Sequence, residues 1–271
     1  VRDLIDCHIH TERCGHASGT VAQMVSAGVF RGLSGMVFTE HLPLPEDLDP
    51  DHHLSLPACD LATYAREVVE MSERVKGTTI VLGAEADWLP GHEELTMAVR
   101  AEAEALGISV MLGSVHFIGE WAFDDPNNLD EWDKRDVDAV WTEYFGYWCD
   151  AARRGGFDVM AHPDLPKKFG HRPGFDTREL FAEAARAAAD GGVLIEVSTA
   201  GLRRPVGELY PGPELLQAFH AAGVDATVGS DAHAPNEVGF HIEYAYGALA
   251  SAGYSRAAFP VSSDETRFIE L

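Results

Sequence analysis

Along the chain, short runs dense in β-branched and aliphatic residues alternate with longer stretches whose apolar positions follow helical spacing. The runs DLIDCHI, GMVFTE, TIVLGAEA, ISVMLGSVHF, FDVMAH, VLIEVST and DATVGSD read as strands. Between them, segments such as LATYAREVVEMSERV and DTRELFAEAARAAAD read as amphipathic helices. Strands interleaved with helices predict a parallel sheet. Neither a low-complexity linker nor a strand-poor half divides the series, so consecutive βα units predict one α/β barrel, a single domain over 1–271. The competing arrangement, an open doubly wound sheet, calls for a glycine-rich phosphate loop after the first strand, and DCHIHTERCGH is not one.

A parallel barrel gathers the C-terminal ends of its strands on one face, and chemistry collects there. The unusual polar residues follow that rule. His8 and His10 close the first strand, and its two-residue period points them the same way. His16 follows in the next loop. His41 ends the second strand, Glu85 the third, His116 the fourth and His162 the fifth; Asp231 and His233 end the seventh. These nine exceed the four to six ligands of one ion, so they predict two or three divalent ions, Zn, Fe or Mn. The expected grouping is His8, His10, Glu85 and Asp231 on the first ion, and a bridging Glu85 with His116 and His162 on the second. His16, His41 and His233 take the third. Cys14 is expected to pack, because thiolates are more typical of closed structural sites.

Composition narrows the partners. Basic residues number 20 against 44 acidic ones, a formal charge of −24, which argues against a nucleic-acid surface. No stretch approaches a membrane span, the N-terminal residues lack a signal-peptide pattern, and four cysteines do not form a secreted framework; the expectation is a cytoplasmic protein. Within this acidic background, PDLPKKFGHRP after the fifth strand and AGLRRPVGELYPGP after the sixth bring cations to the barrel rim. Arg203 and Lys168, with Arg204 and Lys167, are candidate phosphate anchors, since Arg binds two phosphate oxygens and Lys acts as a point charge. Arg172 is expected in a surface salt bridge. The proline-rich acidic segment 42–57 after His41 reads either as a lid or as a solvated loop.

The motifs HIH, CGHA, TEH, GAEAD, GSVHF, AHPDLPKKFG, STAGLRRPVGELYP and GSDAH, in this order, resemble the PHP (polymerase and histidinol phosphatase) family. Within it they are most similar to the stand-alone histidinol-phosphatase branch. The resemblance spans nearly the whole chain and departs at Ser198 and Arg204, where related sequences commonly have Asn and Lys. It implies a distorted (β/α)7 TIM-like barrel with a trinuclear metal site, and L-histidinol phosphate as substrate in histidine biosynthesis.

Residue types alone reach metal-dependent phosphate ester hydrolysis. In that chemistry water held between cations loses a proton near neutral pH and attacks phosphorus directly, with inversion and no phosphoenzyme. Asp231 or His233 is the candidate to assist the leaving group. The rivals are a nuclease with the same metal set, an amidohydrolase-like metal enzyme, another PHP phosphoesterase, and a non-catalytic metal-binding module.

Overall fold

The computed structural model describes residues 3–271. Its strands are β1 (Leu4–Ile9), β2 (Leu33–His41), β3 (Thr79–Asp87), β4 (Val110–Ser114), β5 (Phe117–Ile118), β6 (Trp121–Ala122), β7 (Val159–Met160), β8 (Leu194–Ser198), β9 (Ala226–Gly229), β10 (Arg256–Ser262) and β11 (Glu265–Glu270). Its α-helices are α1 (Val21–Phe30), α2 (Leu61–Arg74), α3 (Glu93–Ala105), α4 (Val137–Arg154), α5 (Arg178–Gly191), α6 (Pro213–Ala221) and α7 (Ile242–Ala252).

Seven strands form one parallel sheet in the order β1-β2-β3-β4-β7-β8-β9, the seven runs read from the sequence. The curled sheet is nearly closed. Between β1 and the end of β9 a single parallel bridge joins Ile9 to Ala232, with His10 N donating to Ala232 O at 2.9 Å. The Asp6 carboxylate reinforces this seam by accepting from Ser230 N at 2.8 Å and Gly239 N at 2.7 Å. The fold is a distorted (β/α)7 TIM-like barrel.

The helices pack their apolar stripes on the outside of the sheet. In α2 the buried residues are Leu61, Tyr64, Ala65 and Val68, the spacing of one helical face. In α4 the face of Trp141, Tyr144, Phe145 and Trp148 is buried, each such side chain contributing roughly 1.5–3 kcal/mol by leaving water.

Two hairpins lie outside the repeating pattern and were not expected from the sequence. The β10–β11 hairpin covers the N-terminal mouth of the barrel, where the Phe259 ring fills the space above Gly35; a Cβ there would lie 2.6 Å from the ring. The small β5–β6 hairpin stands at the opposite, C-terminal face. Leu44, Leu48 and Leu54 of the 42–57 segment pack against Phe117 and Ala122 of that hairpin and against Leu89. Asp49 organises the segment from within, accepting from His53 N at 2.8 Å and Ser55 Oγ at 2.7 Å. The segment is thus an anchored wall of the cleft.

Candidate metal centre

The strand register delivers the polar residues in pairs. Between β2 and β3, His41 stands opposite Glu85; between β3 and β4, Asp87 stands opposite Ser114. Residues opposite each other on adjacent strands point the same way, so the His41 imidazole reaches the Glu85 carboxylate, Nδ1 to Oε2 at 3.1 Å. Glu85, 1% exposed, is the hub of the site. Its Oε2 also lies 3.1 Å from His8 Nε2 and 3.3 Å from His10 Nε2, and its Oε1 lies 3.0 Å from His162 Nε2 and 3.7 Å from His116 Nε2. Ser114 Oγ donates to Oε1.

Asp231 approaches from the other side, with Oδ1 at 3.3 Å from His10 Nε2 and 3.7 Å from His8 Nε2. His233 Nε2 faces His16 Nε2 at 3.0 Å. All nine residues named from the sequence therefore meet at one face. His41 turns its Nδ1 onto Glu85 and also falls in a set with His10 and His233, and Cys14 lies with His16 and His233 in another; in each set the donor atoms all lie within 4.8 Å of one another.

The donor set suits divalent cations. His10 is fully buried, and neither of its ring nitrogens has the alignment of a hydrogen bond although carboxylates lie 3.3–3.4 Å away. Buried polar atoms without partners are uncommon in folded proteins and ask for an explanation. Imidazole nitrogens also face each other at 3.0 Å for His16 and His233 and at 3.2 Å for His116 and His162, a spacing that shared cations satisfy.

The electrostatics point the same way. Burial opposes charge on Glu85, yet the imidazoles of His8 and His41 hold its carboxyl well below the usual range. Asp231 is likewise held low against burial, by His8, His10 and His233. Burial and the neighbouring His10 keep His41 and His233 well below the ordinary imidazole value, so both present neutral nitrogens. Against burial, Asp231 and Glu40 raise His10 to about 9, and Asp87 and Asp124 raise His116 to about 10.

An outer shell orients these groups, and the sequence reading assigned none of it. Glu196, from the sixth barrel strand, holds His8 Nδ1 at 2.9 Å and the backbone N–H of His162 at 2.8 Å. Asp87 holds His116 Nδ1 at 2.9 Å. Glu40 accepts from Thr11 N at 2.9 Å beside His10. A signal was present for Glu196: a carboxylate inside the otherwise apolar run VLIEVST has to find a buried partner. Asp231 itself sits at φ +50, in the left-handed region that favours glycine. Its loop is held by Arg203, whose Nη2 donates to Ser230 O at 2.8 Å and Asp231 O at 2.9 Å.

The cations occupy different environments. Lys168 and Arg204 line the open cleft of about 1570 Å³ above the cluster, where Lys168 Nζ pairs with Asp124 at 2.8 Å. Lys167 does not line it, which corrects the expectation. Its ammonium is 0% exposed, donating to Asp164 Oδ2 at 2.8 Å and Leu209 O at 2.7 Å, because successive side chains of the 3-10 turn over Leu165–Phe169 are rotated about 120° from one another. Arg172 forms an exposed pair with Glu208 at 2.6 Å, as expected.

Comparison with known proteins places the chain. Residues 6–200 match the PHP domain. The probable histidinol-phosphatase of Deinococcus radiodurans is 39% identical over 242 residues, covering 88% of this chain and 89% of that protein. The histidinol-phosphatase of Bacillus subtilis is 26% identical over 260 residues, covering 88% and 96%. In three dimensions the barrel is similar to histidinol phosphate phosphatase from Lactococcus lactis, solved with zinc, L-histidinol and phosphate. The TM-score is 0.81 at 20% identity, over 98% of this chain and 99% of that one. With the profile covering most of the barrel and a relative aligned along nearly its whole length, the chain belongs to the PHP domain family.

Proposed function

We propose that this protein is a metal-dependent phosphomonoesterase that hydrolyses L-histidinol phosphate, a step of histidine biosynthesis. The observation that carries the reading is the convergence of seven imidazoles with the carboxylates of Glu85 and Asp231, directly beneath a cleft lined by Lys168 and Arg204. The relatives named histidinol-phosphatase, and the similar barrel solved with L-histidinol and phosphate, support the substrate.

In this reading His8, His10, Glu85 and Asp231, with His41, His116, His162, His16 and His233, hold two or three divalent ions, zinc, iron or manganese. Bound divalent cations supply Lewis acidity toward phosphoryl oxygens and lower the pKa of water. The residues of the chain do the rest. Glu196 and Asp87 orient the imidazoles of His8 and His116 through Nδ1, so that their Nε2 atoms face Glu85 and would offer lone pairs to a bound ion. Lys168 and Arg204 meet the phosphate from the cleft. Arg203, the other anchor expected from the sequence, does not line the cleft: its Nε pairs with Glu237 at 3.3 Å and its Nη2 holds the backbone of Asp231, so it positions that loop.

Because Asp231 is held ionised and His233 neutral, either would first accept the proton released by the attacking water and then pass it to the leaving alkoxide. At 18% and 17% exposed they stand at the open edge of a cluster whose His8 and His10 are fully buried. Glu120, Asp125, Glu131 and Glu143 also line the cleft, and this acidic wall favours a cationic organic group over a nucleotide. Four unpaired cysteines support a reducing compartment, the cytoplasm.

The test is phosphate release from L-histidinol phosphate compared with sugar phosphates and nucleotides, on protein of measured metal content. Preference for histidinol phosphate is expected. Equal or better turnover of nucleotides or single-stranded DNA overturns the substrate assignment, and full metal loading without any turnover overturns the enzyme assignment.

A further inference from the structure

We infer that Asp49 is a positioning residue of the metal cluster: by folding the 42–57 segment around its carboxylate, it aims the His53 carbonyl at His16 and so orients that imidazole. The inference rests on the metal-cluster reading above and adds to it a role for the segment that walls the cleft.

His16 differs from the other candidate ligands in its surroundings. His8, His10 and His162 are buried, and packing fixes each ring; His16 is exposed, on the loop after β1. An exposed imidazole keeps one orientation only where hydrogen bonds hold it. Its Nδ1 faces two carbonyl oxygens, Cys14 O at 3.1 Å within its own turn and His53 O at 2.9 Å from the 42–57 segment. Carbonyls only accept, so in the neutral ring Nδ1 carries the proton and Nε2 the lone pair. That Nε2 is the atom turned toward the cluster, 3.0 Å from Nε2 of His233.

The His53 carbonyl is held in turn by Asp49. This carboxylate is 3% exposed and accepts from His53 N at 2.8 Å, Leu54 N at 3.2 Å and Ser55 Oγ at 2.7 Å. Leu54 N and His53 O belong to one planar peptide unit, whose N–H and C=O point in opposite directions. Gripping the N–H therefore directs the C=O away from Asp49, and His16 lies there.

The facing turn is shaped to receive this peptide. Gly15 has φ +83, and a Cβ there would lie 2.6 Å from His52 O and 3.3 Å from His53 Cα, so only glycine lets the two loops approach. Both ends of the segment are tied to ligand-bearing strands, Leu42 N donating to Glu85 O at 2.8 Å and Leu56 N to His41 O at 3.1 Å. The segment is thus fixed relative to the cluster at three points, and Asp49 governs the one at His16.

Zinc titration of metal-stripped protein, with bound ions counted by elemental analysis, tests this in Asp49→Ala and in Asp47→Ala, an exposed control in the same segment. In Asp49→Ala one ion is expected to bind about tenfold or more weakly while the others keep their affinity, and Asp47→Ala should match the unaltered protein. Turnover lost at limiting zinc should return at excess zinc. Gly15→Ala, which presses on the same contact from the other side, should weaken the same ion. A residue that only shapes the cleft wall would change KM at saturating zinc and leave the titration alone. That result, or an equal loss of affinity for every ion, overturns the inference while the cluster stands. Failure of the unaltered protein to bind any ion overturns both. Should Asp49→Ala not fold, Asp49→Asn decides by the same criterion.

Discussion

The Glu196 carboxylate lies 2.9 Å from Nδ1 of His8, while the other nitrogen of that imidazole lies 3.1 Å from Glu85. One carboxylate thus holds Nδ1 of His8 and turns its Nε2 toward the hub. Through its second oxygen the same carboxylate holds the backbone of His162, so two candidate ligands depend on it.

Glu196→Gln keeps the shape and removes the charge. Metal affinity is expected to fall by about 10–100-fold, the usual cost of losing such an orienting partner, with the fold retained. Competition against a chromophoric chelator, alongside circular dichroism, measures both. Unchanged affinity would show that His8 is oriented by other contacts.

Gly229 is required by the same contact. A Cβ at this position would lie 2.1 Å from Glu196 Oε1 and 2.6 Å from His8 Cβ. Gly229→Ala is therefore expected to displace His8, lowering metal content and destabilising the fold by about 1–3 kcal/mol. Elemental analysis and urea unfolding check the two effects separately.

Adjacent lysines should respond in opposite ways. Lys167→Met leaves Asp164 buried without its cation and is expected to cost about 3–5 kcal/mol of stability while KM stays close to that of the unaltered protein. Lys168→Ala removes a cation from the cleft wall and is expected to raise KM at a smaller cost in stability. Unfolding curves and steady-state kinetics on both variants separate the roles.

Protons and metal ions compete for the same imidazoles. In metal-stripped protein Asp231 and Glu40 hold His10 at about 9, and Asp87 and Asp124 hold His116 at about 10, against burial. These values lie above the unfolded imidazole value, so the stabilising pairs are complete below about 6.5 and lost as pH rises through about 9 to 10. The thermal midpoint of metal-stripped protein should fall over that interval. Metal affinity should rise over the same interval, because fewer protons have to be displaced. Scanning calorimetry and pH-dependent metal titration test the two trends.

Much of the barrel was legible because its signals are local. Period-two alternation and β-branched composition mark β1 to β4 and β7 to β9, and a polar residue where each apolar run stops marks a strand end. The terminal hairpin escaped because RAAFPVS and ETRFIE resemble any strand pair, and only the packing of Phe259 on Gly35 reveals that they plug the barrel.

By itself the sequence determined the seven strands of the barrel, their parallel arrangement and the nine candidate ligands, since backbone periodicity and residue chemistry belong to each segment alone. Only the tertiary structure decided which carboxylate serves which imidazole, which of two adjacent lysines reaches the cleft, and that Cys14 stands with His16 and His233. Those outcomes turn on separations of a few ångströms between side chains more than 200 residues apart in the chain, as for His8 and Asp231 at 3.7 Å, and such distances exist only once the barrel closes between β1 and β9.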